Sequence, residues 1–516
     1  MGIDALRSLV LELRIELESR AAEISHLKLV LAKLRRTQFG PKSEKLNQAI
    51  EQLELWLEEL ETEQAHAPAA AANESGAGEG PAGSSATSAP TKPARKPLPA
   101  HLPRNTRTRL PKEPNCSQCG GELRKIGEDT SETLEYVPAQ FIVLREVRPK
   151  YTCACCDKMV QEEAGSRPIP RGEAGPGLLA HVLVAKYADH LPLHRQSGIY
   201  QRAGVELSRS TMADWVGQCQ RLLAPLVEAV RRHVMSAGKL HADDTPVPVQ
   251  TTGMGKTKTG RLWTYVRDDR PWGDTTPPAV WFAYSPDRKG EHPQRHLQDF
   301  QGDLQADAYA GFQALYDTGR VREASCWAHV RRKFLDLTLT QKAPVAQEAL
   351  ARIAQLYKIE EDIRGRSPDY RREQRQARAR PLLDSMHSWF RETLTKLSSK
   401  SDTSAAVTYA LNRWPSLVRY VDDGRLEIDN NAAERALRAV ALGRKNYLFF
   451  GADSGGDRAA AMYTLLGSAK LNGLDPELYL REVLSRIADH PINRIAELLP
   501  WNLAVPAPGA AAAAAA

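Results

Sequence analysis

The segment from Ala65 to about Pro90 is built almost wholly from Ala, Gly, Ser, Pro and Thr. A stretch of that composition cannot bury enough apolar area to offset the entropy of ordering it, so no single core can run through it. At 516 residues the chain is already long for one core. The segment therefore separates an N-terminal helical piece from a larger C-terminal body, and residues 65–112 read as a linker.

Upstream of it, Ile3, Val10, Leu17, Ile24 and Leu31 recur every seven residues, as do Leu6, Leu13, Arg20, Leu27 and Leu34. These are the a and d positions of a coiled coil with one polar interruption, at Arg20, compatible with a parallel pair. The alternative is one amphipathic helix packed on its own domain. Gly40 and Pro41 stop this helix, and Ser43 can cap a second one that places Leu46, Ile50, Leu53, Leu57 and Leu60 on one face as far as about Gln64. Residues 1–64 are thus expected to act as a leucine zipper through which the chain forms a homo-oligomer.

The distal end of the linker gathers Lys92, Arg95, Lys96, Arg104, Arg107, Arg109 and Lys112 without an acid among them. This is either a solvated tail or an arm that contacts phosphates. The formal net charge of +7, with 26% charged and 42% hydrophobic residues, fits a soluble, mildly basic chain with a polyanionic partner. No apolar run reaches the roughly 20 residues of a membrane span, and the acids of the first twenty residues do not suit a secretory signal, so no membrane role and a cytoplasmic location are expected.

Seven cysteines are too few for a disulfide scaffold, and five of them are grouped. Cys116 and Cys119 form one Cys-x-x-Cys knuckle, and Cys153 and Cys156 form another 34 positions after Cys119. Paired knuckles separated by strand formers fit a zinc ribbon at 113–170, four thiolates holding one tetrahedral structural ion. Cys155 competes for a place in the second pair. Residues 171–237 then read as helices. A turn at Gly204, a cap at Ser208 and a helix bearing Arg209 and Trp215 have the shape of a helix-turn-helix, a shape any helical hairpin shares.

After Gly238 the pattern changes to strands: "KLHADDTPVPV", "GRLWTYVRDD", "AVWFAYSP" and "GDLQADAYAGF". Asp243 sits in "LHAD" as Asp307 sits in "LQAD", each at an apparent strand end. Either alone could cap a turn, whereas two strand-end carboxylates of one sheet can converge on a cation. Farther on, Asp429 or Asn430 can cap a helix that ends near Gly443, with Glu434, Leu437, Arg438 and Ala441 along one side. Glu434 borders the face that packs on a sheet, and an ion pair with Arg438 is its plainer role.

The blocks "HADDTP", "LQADAYAGF", "CWAHVRRKF" and "IDNNAAERALR" resemble, in order, those of the large transposase of the insertion-sequence 66 family, a DDE transposase. "TQFGPKSEKL", the two knuckles, "ADHLPLHRQSGIY" and "GLDPELYLREVLSRIADHPINRIAELLPW" resemble that family too, so the likeness covers nearly all of the chain outside the linker and the alanine tail.

The resemblance implies a multidomain α/β protein with a ribonuclease H-like core, a mixed sheet flanked by helices, in two parts, 238–329 and 426–465. Between Asp307 and Glu434 lie 126 residues, which accommodates a helical insertion at 330–425. Residues 466–516 form a C-terminal helical segment and tail. The resemblance makes Asp243, Asp307 and Glu434 the catalytic carboxylates. Asp244 stands where relatives often have Glu, which leaves Asp243 the better ligand.

Phosphodiester transfer of this kind uses two divalent ions, and hard oxygen donors suit magnesium or manganese. Asp243 would bridge both ions, with Asp307 and Glu434 completing one each. The Lys or Arg that many DDE enzymes carry seven residues after the Glu is here Ala441, so Arg438 or Lys445 is left to meet the phosphate. Cys326 and His329 of "CWAH" could be half a metal site, against the alternative of a packed Cys and a hydrogen-bonded His, and Arg331 and Arg332 beside them are candidates for backbone contact with DNA.

The function expected is DNA transposition at the inverted-repeat ends of an insertion sequence, in association with the nucleoid and with the small companion proteins that the resemblance implies. The alternatives are a catalytically silent zinc-dependent regulator descended from a transposase, and a metal-dependent nuclease without strand transfer. One expectation follows from the knuckles alone. Cys116→Ser or Cys153→Ser should release bound zinc, because loss of one thiolate opens the tetrahedral site. Metal analysis of the purified full chain checks it, and near-zero zinc in the wild type would refute the site.

Overall fold

In the computed structural model the described residues are 141, 143, 150–152, 159–161, 166–170, 172–251, 256–340 and 343–503. The zipper heptads, the linker, Arg104, Arg107, Arg109, the five grouped cysteines and the alanine tail lie outside them. The chain divides into two compact units, one formed by residues 91–326, 364–372 and 422–516 and the other by residues 1–90, 327–363 and 373–421.

Among the described residues of the first unit, β1 (Lys150–Thr152) pairs antiparallel with β2 (Met159–Gln161). Three helices follow, α1 (Pro176–Tyr187), α2 (Leu193–Arg202) and α3 (Arg209–Met235). Gly204 takes a left-handed φ of +80° in the turn after α2, and the Ser208 hydroxyl caps α3 by accepting from the Thr211 N–H. With 27 residues, and with Met212, Trp215, Val216, Leu223, Leu226, Val230 and Val234 buried, α3 is a core helix that packs on the sheet. Its exposed Arg209 lies at its N-terminus.

The sheet has five strands: β3 (Lys239–Gln250), β4 (Thr257–Arg267), β5 (Ala279–Ser285), β6 (Gly302–Ala306) and β7 (Val321–Ser325), in the order β5-β4-β3-β6-β7. β3, β4 and β5 form an antiparallel meander, while β6 and β7 run parallel to β3 and to each other. Between β5 and β6 lies the short α4 (Glu291–His296). β7, "VREAS", is too short and polar to announce itself in the sequence.

The second unit is helical among its described residues. It holds α5 (Trp327–Thr340), α6 (Pro344–Ile363), and, beyond α7 (Pro368–Gln374), α8 (Arg380–Lys396) and α9 (Asp402–Asn412). Phe334 stacks on Phe390, and Trp327 meets Trp414 edge to face at the centre of its core. Two arginines of the basic stretch "RGRSPDYRREQRQARARP" are taken up inside the fold: Arg375 is fully buried and forks onto Glu360 at 2.8 and 2.6 Å, and buried Arg371 donates to Glu427 at 2.7 Å.

The chain returns to the first unit with α10 (Asn431–Tyr447), α11 (Asp453–Leu471) and α12 (Pro476–Arg486). Gly443 does not end α10 as its position suggested. It is buried, and a Cβ there would stand 2.8 Å from the Tyr447 ring and 3.0 Å from the Tyr463 hydroxyl, so the glycine serves a close approach and the helix runs on to Tyr447, with Leu448 as its C-cap.

Strand β5 is an edge, and α11 covers it. Thr464 Oγ1 accepts from the Phe282 N–H at 2.9 Å, and Ser468 Oγ accepts from the Val280 N–H at 3.2 Å. Helix hydroxyls thereby satisfy the outward donors of a strand that would otherwise present an open edge. Thr464→Val keeps the shape but leaves the buried Phe282 N–H without a partner, and should cost about 1–3 kcal/mol in denaturant unfolding of the full chain. No loss of stability would show that the hydroxyl is dispensable.

Candidate active site

The parallel register of β3 and β6 pairs Lys239 with Asp303, Leu240 with Leu304, His241 with Gln305 and Ala242 with Ala306. "LHAD" and "LQAD" therefore lie side by side, and the next residue on each strand beyond the last pair is an acid, Asp243 or Asp307. Asp243 is not a strand end, as the sequence suggested, because β3 stays paired with β4 as far as Gln250. Only its β6 side opens. There Phe450 exchanges hydrogen bonds with Gln250 N–H and the Pro248 carbonyl, so even-numbered residues face away from β4 and Pro246 and Pro248 leave no donor wasted in that ladder.

Glu434 reaches the same place by a different route. Buried Gln305, on β6, donates to the carbonyls of Glu427 and Asp429 at 2.8 and 3.3 Å and accepts from the Glu427 N–H at 2.9 Å. Asn430, fully buried, donates to the Ala242 carbonyl at 2.9 Å, and its Oδ1 lies 3.0 Å from His241 Nδ1. Burial, and then the nearby Lys239 charge, push the His241 imidazole down to about 3, so the ring is neutral and Nδ1–H is the donor that fits the amide. The Asn430 N–H donates to Cys326 Sγ at 3.2 Å. Asn430 is thus a strut between α10 and β3 rather than the side-chain cap of α10, and it is Asp429 that accepts from the Asn431 N–H, at 3.2 Å. One turn beyond this anchor, Glu434 projects beside the buried Ala433, Leu437 and Val440, with a carboxylate oxygen within 4.8 Å of Cys326 Sγ.

The electrostatics of the three acids are those of crowded like charges. Burial pushes the Asp243 carboxyl well above the usual carboxylate range; the charge of Asp307 adds to this, as do Glu434 and Asp244, against a hydrogen bond of 2.7 Å from the Asp244 N–H. Asp244 itself is committed elsewhere. Its nearly buried carboxylate pairs with Arg261 at 2.9 Å and Arg288 at 2.8 Å, and Arg288 also stands 3.5 Å from Asp307.

The structure thus places Asp307 and Glu434 near enough to Asp243 for their charges to raise its carboxyl. Arg438 is partly exposed on α10, and Lys445 is exposed near its end. Arg331, Arg332 and His329 lie on α5 in the helical unit, the two arginines exposed. Cys326 is buried and serves as an acceptor for backbone. Three residues that sequence reasoning passed over support the acids, His241, Arg288 and Gln305, and so does Asn430, which it read only as a possible helix cap. A polar Gln305 between Leu304 and Ala306 was a signal; Arg288, in an ordinary loop, gave none.

An acid whose folded-state pKa is raised makes ionisation cost stability. That cost is absent below the unfolded value, about 3.9, and grows as the pH rises through the folded one. Without added divalent ion, Asp243→Asn should therefore melt above the wild type at pH 8, by a margin that closes as the pH falls towards 4. Equal margins at both pH values in a thermal melt would refute the electrostatic account.

Among known proteins, the family model described as Transposase IS66 family matches residues 171–458. Those described as the zinc-finger binding domain of transposase IS66, Transposase C of IS166 homeodomain, and IS66 C-terminal element match residues 113–157, 26–107 and 464–501. "Uncharacterized protein y4hP" of Sinorhizobium fredii is 42% identical over 495 residues, covering 92% of this chain and 88% of that protein. "Uncharacterized protein y4qI" of the same organism is 37% identical over 537 residues, covering 97% of each. With its sheet, acids and flanking segments all falling inside these matches in one order, the chain belongs to the IS66 transposase family.

Proposed function

We propose that this chain cuts the inverted-repeat ends of an insertion sequence and joins them to target DNA, using Asp243, Asp307 and Glu434 of a ribonuclease H-like core. The convergence of the three carboxylates beyond the last pair of β3 and β6 carries the reading. Burial first, and then the charges of Asp307 and Glu434, raise the Asp243 carboxyl, the kind of perturbation that clusters at functional sites. An all-oxygen, all-carboxylate donor set fits magnesium or manganese.

Bound divalent ions would supply activation of the attacking oxygen and stabilisation of the leaving oxygen. In the first reaction water attacks phosphorus and the 3′-oxygen of the element leaves as a hydroxyl. In the second, that hydroxyl attacks a target phosphate and displaces a target 3′-oxygen, so that one phosphodiester bond forms for each one broken. The chain's own part is to hold the carboxylates in place through Gln305 and Asn430 and to bind DNA. For binding we assign Cys116, Cys119, Cys153 and Cys156 to one zinc ion, and Arg104, Arg107, Arg109, Arg209, Arg331, Arg332, Arg438 and Lys445 to phosphate contact. The N-terminal zipper would pair the ends by oligomerisation. A silent regulator would have no need of three acids kept together at this electrostatic cost, which favours the enzyme.

The DNA flanking the reading frame supplies the end sequences for a test. Asp243→Asn, Asp307→Asn and Glu434→Gln should each lower single-turnover cleavage and strand transfer by at least about a hundredfold, since each removes a charge worth several kcal/mol to the transition state. End binding at fixed salt should persist, because it comes from cations elsewhere. Asp429→Asn should keep most activity. Normal cutting by Glu434→Gln with a dead Asp429→Asn would misassign the third carboxylate, and cleavage without joining would mark a nuclease.

A further inference from the structure

Arg288 reaches to 3.5 Å from Asp307, and the fold holds it there from several sides. Its Nε and Nη2 both donate to Asp244 Oδ1, at 3.1 and 2.8 Å, and its guanidinium lies over the Tyr309 ring at 4.2 Å. The Tyr309 hydroxyl donates to the Arg288 carbonyl. The loop beneath is pinned as well: Trp263 Nε1 donates to Ser285 Oγ at 2.7 Å, and Ser285 donates on to the Asp287 carbonyl at 2.6 Å. Asp287 accepts from the Lys289 N–H at 3.1 Å and is bonded to His292 at 2.7 Å. Within this frame Nη2 stands 3.5 Å from Asp307 Oδ2. One guanidinium therefore serves both Asp244, which has a second arginine, and Asp307, which the reading above makes a metal ligand.

We propose that Arg288 is a positioning residue that acts as a tethered counter-cation: it holds Asp307 in the metal-free protein and competes with a divalent ion for that carboxylate. The inference rests on the assignment of Asp307 to a metal site. Its physical basis is a partition of charge. Asp244 keeps Arg288 in place whether or not Asp307 is engaged, so a cation taking Asp307 displaces one contact of the guanidinium and leaves the others. The arrangement keeps three like charges assembled without metal, and in exchange weakens the first binding of metal.

Manganese binding to the zinc-loaded full chain without DNA, followed by the electron paramagnetic resonance of free Mn2+, tests this. Arg288→Gln should bind Mn2+ about three- to fivefold tighter than the wild type, the size expected for one partly exposed ion pair. Arg288→Lys, which restores the charge, should return towards the wild type. Arg261→Gln removes an equal charge from Asp244 without touching Asp307, and should shift affinity less. Unchanged affinity in Arg288→Gln, or an equal gain in Arg261→Gln, overturns the competition while leaving the acids as ligands. Wild-type binding by Asp243→Asn would instead overturn the metal site itself, and the role of Arg288 with it. Arg288 is partly exposed and Asp244 keeps Arg261, so Arg288→Gln is expected to fold; its far-ultraviolet circular dichroism and melting curve verify that.

Discussion

Repulsion among Asp243, Asp307 and Glu434 is the constraint to which the rest of this unit answers. Three carboxylates cannot be gathered in a partly buried place unless something rigid opposes their separation, and for Asp243 burial is the larger cost, to which the charges of Asp307 and Glu434 add. The opposition comes from neutral, buried hydrogen bonds. Gln305 and Asn430 spend their amide groups on the backbone of two distant segments, and a neutral His241 completes the second amide. A buried polar network of this kind is worth having only when its members are satisfied, and then it specifies one arrangement.

Charge is handled separately from position. Asp244, adjacent in sequence to Asp243, takes two arginines and is the last of the charges that raise Asp243, while Arg288 extends a weaker hold to Asp307. Neighbouring carboxylates thus have opposite roles. Asp243 is left exposed to its like-charged neighbours, and Asp244 serves as the anchor for cations. Alternation along β3 accounts for this, since successive side chains leave opposite faces of the sheet.

The same economy appears at the edge of the sheet. β5 would be open to pairing with another strand, and α11 closes it with Thr464 and Ser468 instead of with a sixth strand. Small residues on α11 allow the approach: a Cβ at Gly456 would fall 2.3 Å from the Tyr284 ring, and one at Gly467 would fall 2.6 Å from Val280. Family models for the zinc finger and the C-terminal element flank the match that contains the sheet, in one linear order.

The acids, the paired knuckles and the order of the blocks could be read from the sequence because each is local. A repeated "L-x-A-D" needs only a parallel pair in register to become two adjacent carboxylates, and the knuckles are a matter of spacing alone, their cysteines lying outside the described residues. Glu434 could be named from its block, but nothing along the chain says how it returns across 126 residues. That was decided by Gln305 and Asn430, whose amides mean nothing until the segments they join are adjacent. The strand ladder that runs past Asp243, the short β7, the passage of α10 through Gly443 and the dual engagement of Arg288 were likewise settled only in three dimensions. Each depends on partners far away in sequence, whereas periodicity, composition and spacing report only what neighbours along the chain can do.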